Sequence, residues 1–200
     1  KGVGRCKQAL VIAVRYSLSR LCVGESGESD TPIMDNGLQQ RAFLPLIARA
    51  YAVSVVGMTY VKDRFVAETT ANNSKGLGAV SPELEVLCSG IKALNTWHTE
   101  RVASVTRERC GGQGYLAANK FAEILGDAHA ICTAEGDNSV LMIKVAKERL
   151  AWAKKDNGKW VAAALAPFVG YEDVRSLDYL LSLFKRREAT QITQLQGVMD

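Results

Sequence analysis

Apolar positions recur at helical intervals along most of the chain. Between Lys7 and Cys22, Leu10, Val11, Val14, Leu18 and Leu21 fall three or four residues apart, which predicts an amphipathic helix. The stretch "GESGESDTP" then interrupts the pattern with glycines, acidic residues and Pro32, and predicts a polar loop. A second helix is predicted from about Asn36 to Glu68, with a kink at Pro45, where a proline removes one backbone donor. The polar stretch Thr69 to Val80 is the next loop. It ends in a strong helix start, with Ser81 as N-cap, Pro82 at the first helical position, and Glu83 and Glu85 in the first turn.

From Pro82 the helical pattern continues to Cys110, and Leu84, Leu87, Cys88, Ile91 and Leu94 form its predicted inward face. Gly111 and Gly112 stop it. A short helix is expected from about Asn119 to Leu125. Another is expected from Ser139 to about Trp152, capped by Asp137, with Val140, Ile143, Ala146 and Leu150 inward. "KKDNGKW" is a turn-rich break. A last helix starts near Ser176 with Leu177, Leu180, Leu181 and Phe184 on one face. No segment sustains period-two alternation and no repeat of solenoid length is present. The predicted architecture is all-α, with long helices packed as an antiparallel bundle and a domain boundary near 155–170.

Composition narrows the function. The chain has 200 residues, is 48% hydrophobic and 23% charged, and so can bury a sizeable core. Its net charge of +4 is spread along the sequence, without the basic tract of a nucleic-acid or membrane footprint. The run Lys185 to Glu188 is expected to be a solvated helix face. No unbroken apolar run of about 18 residues is present, so no membrane span is expected. The five cysteines have no C-x-x-C spacing, and only His98 and His129 supply imidazoles, which leaves metal and Ser-His chemistry without parts. Each histidine is read as a surface or packing residue. The acceptor pattern Asn72-Asn73-Ser74 is read as chance. The chain shows no targeting signal and both ends look cut, as in a piece of a longer protein.

Candidate chemistry concentrates at "AEGDNSVLM", Ala134 to Met142. Asp137 explains itself as the helix cap, whereas Glu135 is either a carboxylate left in solvent at a helix start or a base sheltered by the loop. Upstream, "CGGQGY" at Cys110 to Tyr115 is either a helix C-cap or a segment whose missing Cβ atoms let backbone amides approach an anionic ligand. Tyr115 itself is read as packing.

Four blocks, "RYSLSRLCVG" (Arg15 to Gly24), "LQQRAFLPLIARAYA" (Leu38 to Ala52), "RERCGGQGYL" (Arg107 to Leu116) and "AEGDNSVLMIKVAKERL" (Ala134 to Leu150), together resemble the C-terminal portion of the acyl-CoA oxidases. These are flavoproteins related to the acyl-CoA dehydrogenases. The resemblance covers about residues 1–155 and implies a helical bundle there, packed on upstream domains, with residues 156–200 as a linker and the start of the oxidases' extra C-terminal helical domain, incomplete here. It also implies a homodimer, with FAD at the subunit interface beside a fatty acyl-CoA thioester.

By the same resemblance, Glu135 is the catalytic base that removes the α-proton while the β-hydrogen leaves as hydride, giving a trans-2-enoyl-CoA. Oxygen then reoxidises the flavin to give hydrogen peroxide. Arg20 and the segment Gly111, Gly112, Gln113 and Gly114 would contact the FAD of the neighbouring subunit, and Asp137 would contact flavin or ligand. The sequence differs from the family pattern at Cys22 and Val23, where glutamine and an aromatic residue are usual. The peroxisome follows from the eukaryotic oxidases. Two alternatives remain: a dehydrogenase that passes electrons to an electron-transfer flavoprotein, and a non-catalytic helical module. The 200 residues alone are expected to retain no flavin.

Overall fold

The structure, a computed structural model, describes residues 1–71, 80–166 and 175–199. The asparagine-serine pattern at 72–74 and part of the alanine-rich stretch after Trp160 lie outside the described residues. The chain divides into two compact units, residues 1–142 and 143–200.

In the first unit, α1 (Gly2–Ser19) and α2 (Gly37–Tyr51) are followed by a π-helical segment (Ala52–Gly57) and α3 (Met58–Ala71). Then come α4 (Pro82–Arg109), a 3-10 segment (Gly111–Tyr115) and α5 (Phe121–Thr133). Helix α6 (Asn138–Lys155) begins in this unit and ends in the second, which also holds α7 (Lys159–Leu165) and α8 (Leu177–Met199). The predicted all-α class is correct. Leu21–Cys22, expected to end the first helix, instead form β1, which pairs antiparallel with Thr31–Pro32 (β2) and brings the ends of the polar loop together.

Cross-helix bonds set the directions of the bundle. Thr99 donates to the Gly2 carbonyl at the start of α1, while Gln39 ties Ser17, near the end of α1, to the Arg109 carbonyl at the end of α4. Helices α1 and α4 therefore run the same way. His98 meets the Leu46 carbonyl, and Lys92 meets the Cys132 carbonyl, so α2 and α5 run against α4. Successive long helices thus alternate in direction.

The core of this unit holds Phe43, Phe121, Ile124, Leu10 and Val102 among Ala9, Ala13, Ala103 and Ala128. Burying each large side chain contributes about 1.5–3 kcal/mol, and the alanines let the helices approach closely.

Helix α4 differs from its predicted face. Of the predicted face Leu84 is fully buried, but Leu87 and Leu94 are exposed, and the buried stripe continues through Ser89, Ala93, Thr96, Thr99, Val102, Ala103 and Thr106. The hydroxyls of Ser89, Thr96, Thr99 and Thr106 each donate to the carbonyl four residues earlier. With a partner inside their own helix, and for Thr96 and Thr99 one across the bundle as well, these polar side chains are accommodated in the interior.

Helix α2 starts where expected, with the Asn36 side chain accepting from the Leu38 amide. Pro45 sits inside α2 and the departure from α-helical bonding falls later, at Ala52–Gly57. A Cβ on Gly57 would press on Ile91 of α4, so this glycine permits the close approach. The continuous stretch 37–71 also contains an apolar window that meets the length and composition of a membrane-crossing helix. The charged Arg49 interrupts the apolar pattern there and hides it from a search for unbroken runs.

In the second unit, Leu150, Ala153 and Ile192 form a small core with Trp160 and Val161. The turn after α6 carries Asn157 and Gly158 at positive φ, and the Gly158 amide returns to the Ala153 carbonyl. Arg149 pairs with Glu188 at 2.6 Å and lies over Trp152 and Trp160. Arg186 donates to the Leu165 and Ala166 carbonyls. The expected solvated run at 185–188 is therefore half engaged. The predicted inward residues Val140, Ile143, Leu177, Leu180, Leu181 and Phe184 are exposed, and of that set Leu150 is buried.

Candidate active site

Glu135 occupies the turn between α5 and α6. Ala134 ends α5 in an extended conformation, Glu135 then takes φ 60° and Gly136 φ 108°, and the chain re-enters a helix at Asn138. Glycine suits the second of these positions. Glutamate does not suit the first, because a left-handed residue with a Cβ costs on the order of 1–3 kcal/mol. The Glu135 side chain is exposed. Asp137 caps α6, its carboxylate accepting from the Ser139 amide at 2.9 Å and the Val140 amide at 3.3 Å. Those bonds account for Asp137 as a structural residue.

The turn is fixed by residues that the sequence did not single out. Lys92, on α4, donates from Nζ to the Cys132 carbonyl at 3.1 Å, to Asn138 Oδ1 at 2.8 Å and to the Gly136 carbonyl at 2.5 Å. Asn138 is 2% exposed and its amide donates to Thr96 Oγ1 at 2.9 Å. A buried asparagine directly after an N-cap is the one local signal of this arrangement. Its partners are more than 40 residues away and cannot be read from sequence.

The residues expected to contact FAD lie elsewhere. Arg20 ends α1 with its side chain exposed, its amide bonded to the Tyr16 carbonyl and its carbonyl accepting from Ile33. Gly111, Gly112 and Gln113 are exposed just past the end of α4. A Cβ at Gly111 or Gly112 would meet nothing, which leaves open backbone for a ligand to approach. Gly114 is different. It is buried, and a Cβ there would collide with the Arg107 carbonyl, so its glycine serves the fold. Gln113 accepts from Asn119 through both its carbonyl and its side chain. Tyr115, expected to pack, is 80% exposed. Cys22 is half-buried in β1, and Val23 is exposed.

The structure does not bring these two groups together. Lys92, which holds the Glu135 turn, stands about 25 Å along the α4 axis from Arg109, at about 1.5 Å rise per residue. Arg20 falls near the Arg109 end, because Gln39 bridges Ser17 and the Arg109 carbonyl.

The model of the acyl-CoA oxidase C-alpha1 domain matches residues 2–150. The chain belongs to the acyl-CoA oxidase family. It is 34% identical to acyl-coenzyme A oxidase 2, peroxisomal, of Arabidopsis thaliana over 74% of this chain and 21% of the relative. With acyl-coenzyme A oxidase acox-1.4 of Caenorhabditis elegans the identity is 31%, over 94% of this chain and 30% of the relative. Among solved structures it resembles acyl-CoA oxidase-2 of Caenorhabditis elegans bound with FAD, ascaroside-CoA and ATP. There the TM-score is 0.80 at 26% identity, covering 99% of this chain and 31% of that one. The chain thus spans about a fifth to a third of the length of these oxidases.

Proposed function

We propose that the chain supplies the catalytic base and one edge of the flavin cradle of an FAD-dependent acyl-CoA oxidase, acting on a fatty acyl-CoA thioester. The carrying observation is Glu135, a non-glycine residue at positive φ with its carboxylate presented from a turn clamped on both sides. Backbone strain of this kind concentrates where function requires it. Membership in the oxidase family supports the assignment.

In this reading Glu135 takes the proton from Cα of the thioester, and the pair left on Cα closes the Cα–Cβ double bond as the Cβ hydrogen departs with its electrons. The product is a trans-2-enoyl-CoA. A bound flavin would supply the hydride acceptor and the path of the two electrons to oxygen, with hydrogen peroxide as the second product. A fixed carboxylate within reach of Cα needs no second acid on this chain.

The residues present fit FAD. Open glycine backbone at Gly111 and Gly112, with the exposed guanidinium of Arg20 at the same end of the bundle, suits a diphosphate. The separation along α4 supports two flavins in a homodimer, one beside Glu135 and the other against the Arg20 and Gly111 end of the same chain. Asp137, engaged as a cap, is left out of the proposed ligand contacts. The peroxisome is proposed because the Arabidopsis thaliana relative is named peroxisomal.

The test is Glu135→Gln in the full-length, FAD-loaded protein. Acyl-CoA-dependent peroxide formation should fall by about 100-fold or more, with flavin content retained. A rate close to the unaltered enzyme would remove the base assignment, and flavin reduction without peroxide would favour a dehydrogenase.

A further inference from the structure

We infer that Lys92 is the positioning residue of the base, holding Glu135 in its left-handed conformation through the turn rather than touching substrate; this rests on reading Glu135 as the base. The three acceptors of its ammonium bracket the glutamate. Cys132 lies three residues before it, Gly136 one after, and Asn138 three after. Every ammonium hydrogen is used, and none goes to the Glu135 carboxylate, which stays available.

The choice of lysine follows from geometry. A compact ammonium can donate to three acceptors that converge on one point, whereas the planar fork of a guanidinium cannot. Cys132 is in the last turn of α5, so the positive charge also sits against the negative end of that helix. Asn138 passes the constraint on to Thr96, one turn further along α4. Helix α4 is the longest helix described in the first unit and is packed against α1 and α5, so the anchor is rigid. A left-handed glutamate persists only where its surroundings over-determine it, and this clamp is what does so.

The experiment measures both flavin half-reactions in the full-length, FAD-loaded enzyme for Lys92→Met, Lys92→Arg and Thr96→Val, with Glu135→Gln alongside. Misplacing the base by about 1 Å should slow anaerobic flavin reduction by acyl-CoA by roughly 10- to 100-fold in Lys92→Met. Substrate KM and reoxidation by oxygen should stay within about twofold of the unaltered enzyme. Lys92→Arg keeps the charge but not the convergence and should be no better than Lys92→Met. Thr96→Val leaves Lys92 in place and should show a smaller loss of the same kind; it also decides the matter if Lys92→Met does not fold.

Flavin reduction at the unaltered rate in Lys92→Met or, failing that, in Thr96→Val overturns the proposal. So does a loss shared equally by KM, flavin content and reoxidation. Glu135→Gln separates the two assignments. If it abolishes reduction while Lys92→Met reduces flavin at the unaltered rate, the clamp alone is wrong. If Glu135→Gln reduces flavin normally, the base reading falls and the clamp with it.

Discussion

Gln39 and Ser17, on different helices, are joined by a 2.9 Å hydrogen bond in the interior, where Ser17 is fully buried and Gln39 nearly so. The same Gln39 amide reaches the Arg109 carbonyl at 3.3 Å. One side chain therefore gathers the end of α1, the start of α2 and the end of α4. Gln39→Ala leaves the buried Ser17 hydroxyl and the half-buried Arg109 carbonyl without this donor and should cost about 1–3 kcal/mol. Denaturant titration would measure the loss. FAD affinity should weaken too, because Arg20 and Gly111 extend from the elements that Gln39 joins.

Strain at Glu135 sets stability against activity. Glu135→Gly should relieve the left-handed cost and raise stability by up to about 1 kcal/mol, or about 2–4 °C in melting temperature, while removing the proposed base. Thermal melts of Glu135→Gly and the unaltered protein, paired with a peroxide assay, check this. A lower melting temperature would mean that the conformation is not strained.

The glycines of the 111–114 segment should separate by role. Gly114→Ala drives a methyl into the Arg107 carbonyl and should cost several kcal/mol or prevent folding. Gly112→Ala meets open space, so the fold should hold within about 0.5–1 kcal/mol while FAD binding weakens. Circular dichroism melts and flavin absorbance distinguish the two outcomes.

His98 is 2% exposed, and burial pushes its pKa below the ordinary histidine value, with the charge of Arg49 acting in the same direction. The folded site therefore holds the neutral ring, with Nε2 against the Leu46 carbonyl. Below about pH 6.5 the unfolded chain takes up a proton that the folded site resists, so this contribution is present above that pH and lost as pH falls. The melting temperature should drop between pH 7.5 and 5.5. His98→Gln, which can keep a donor to Leu46, should flatten the drop. The carboxylates Glu123 and Asp127, held low by Arg5, titrate at more acidic pH and stay outside this window.

The sequence by itself determined features whose causes lie within a few residues. Ser81 starts α4, Asn36 starts α2 and Asp137 caps α6, each through a side chain that meets an amide two or three residues on. Glu135 was likewise marked, since its neighbour Asp137 took the structural task and left it none.

Tertiary structure decided the rest. Beyond Leu84 the inward face of α4 is largely hydroxyls and alanines, because back-bonded serines and threonines pack closely there while Leu87 and Leu94 face outward. Gly114 serves the fold while Gly111 and Gly112 stay open, a distinction set by where the Arg107 carbonyl lies. Lys92, more than 40 residues from the turn it holds, carried no local sign of that task. Capping and turn formation are settled by short-range bonds and so are written in adjacent residues. Which faces meet, and which distant ammonium reaches a strained turn, depends on how the helices pack.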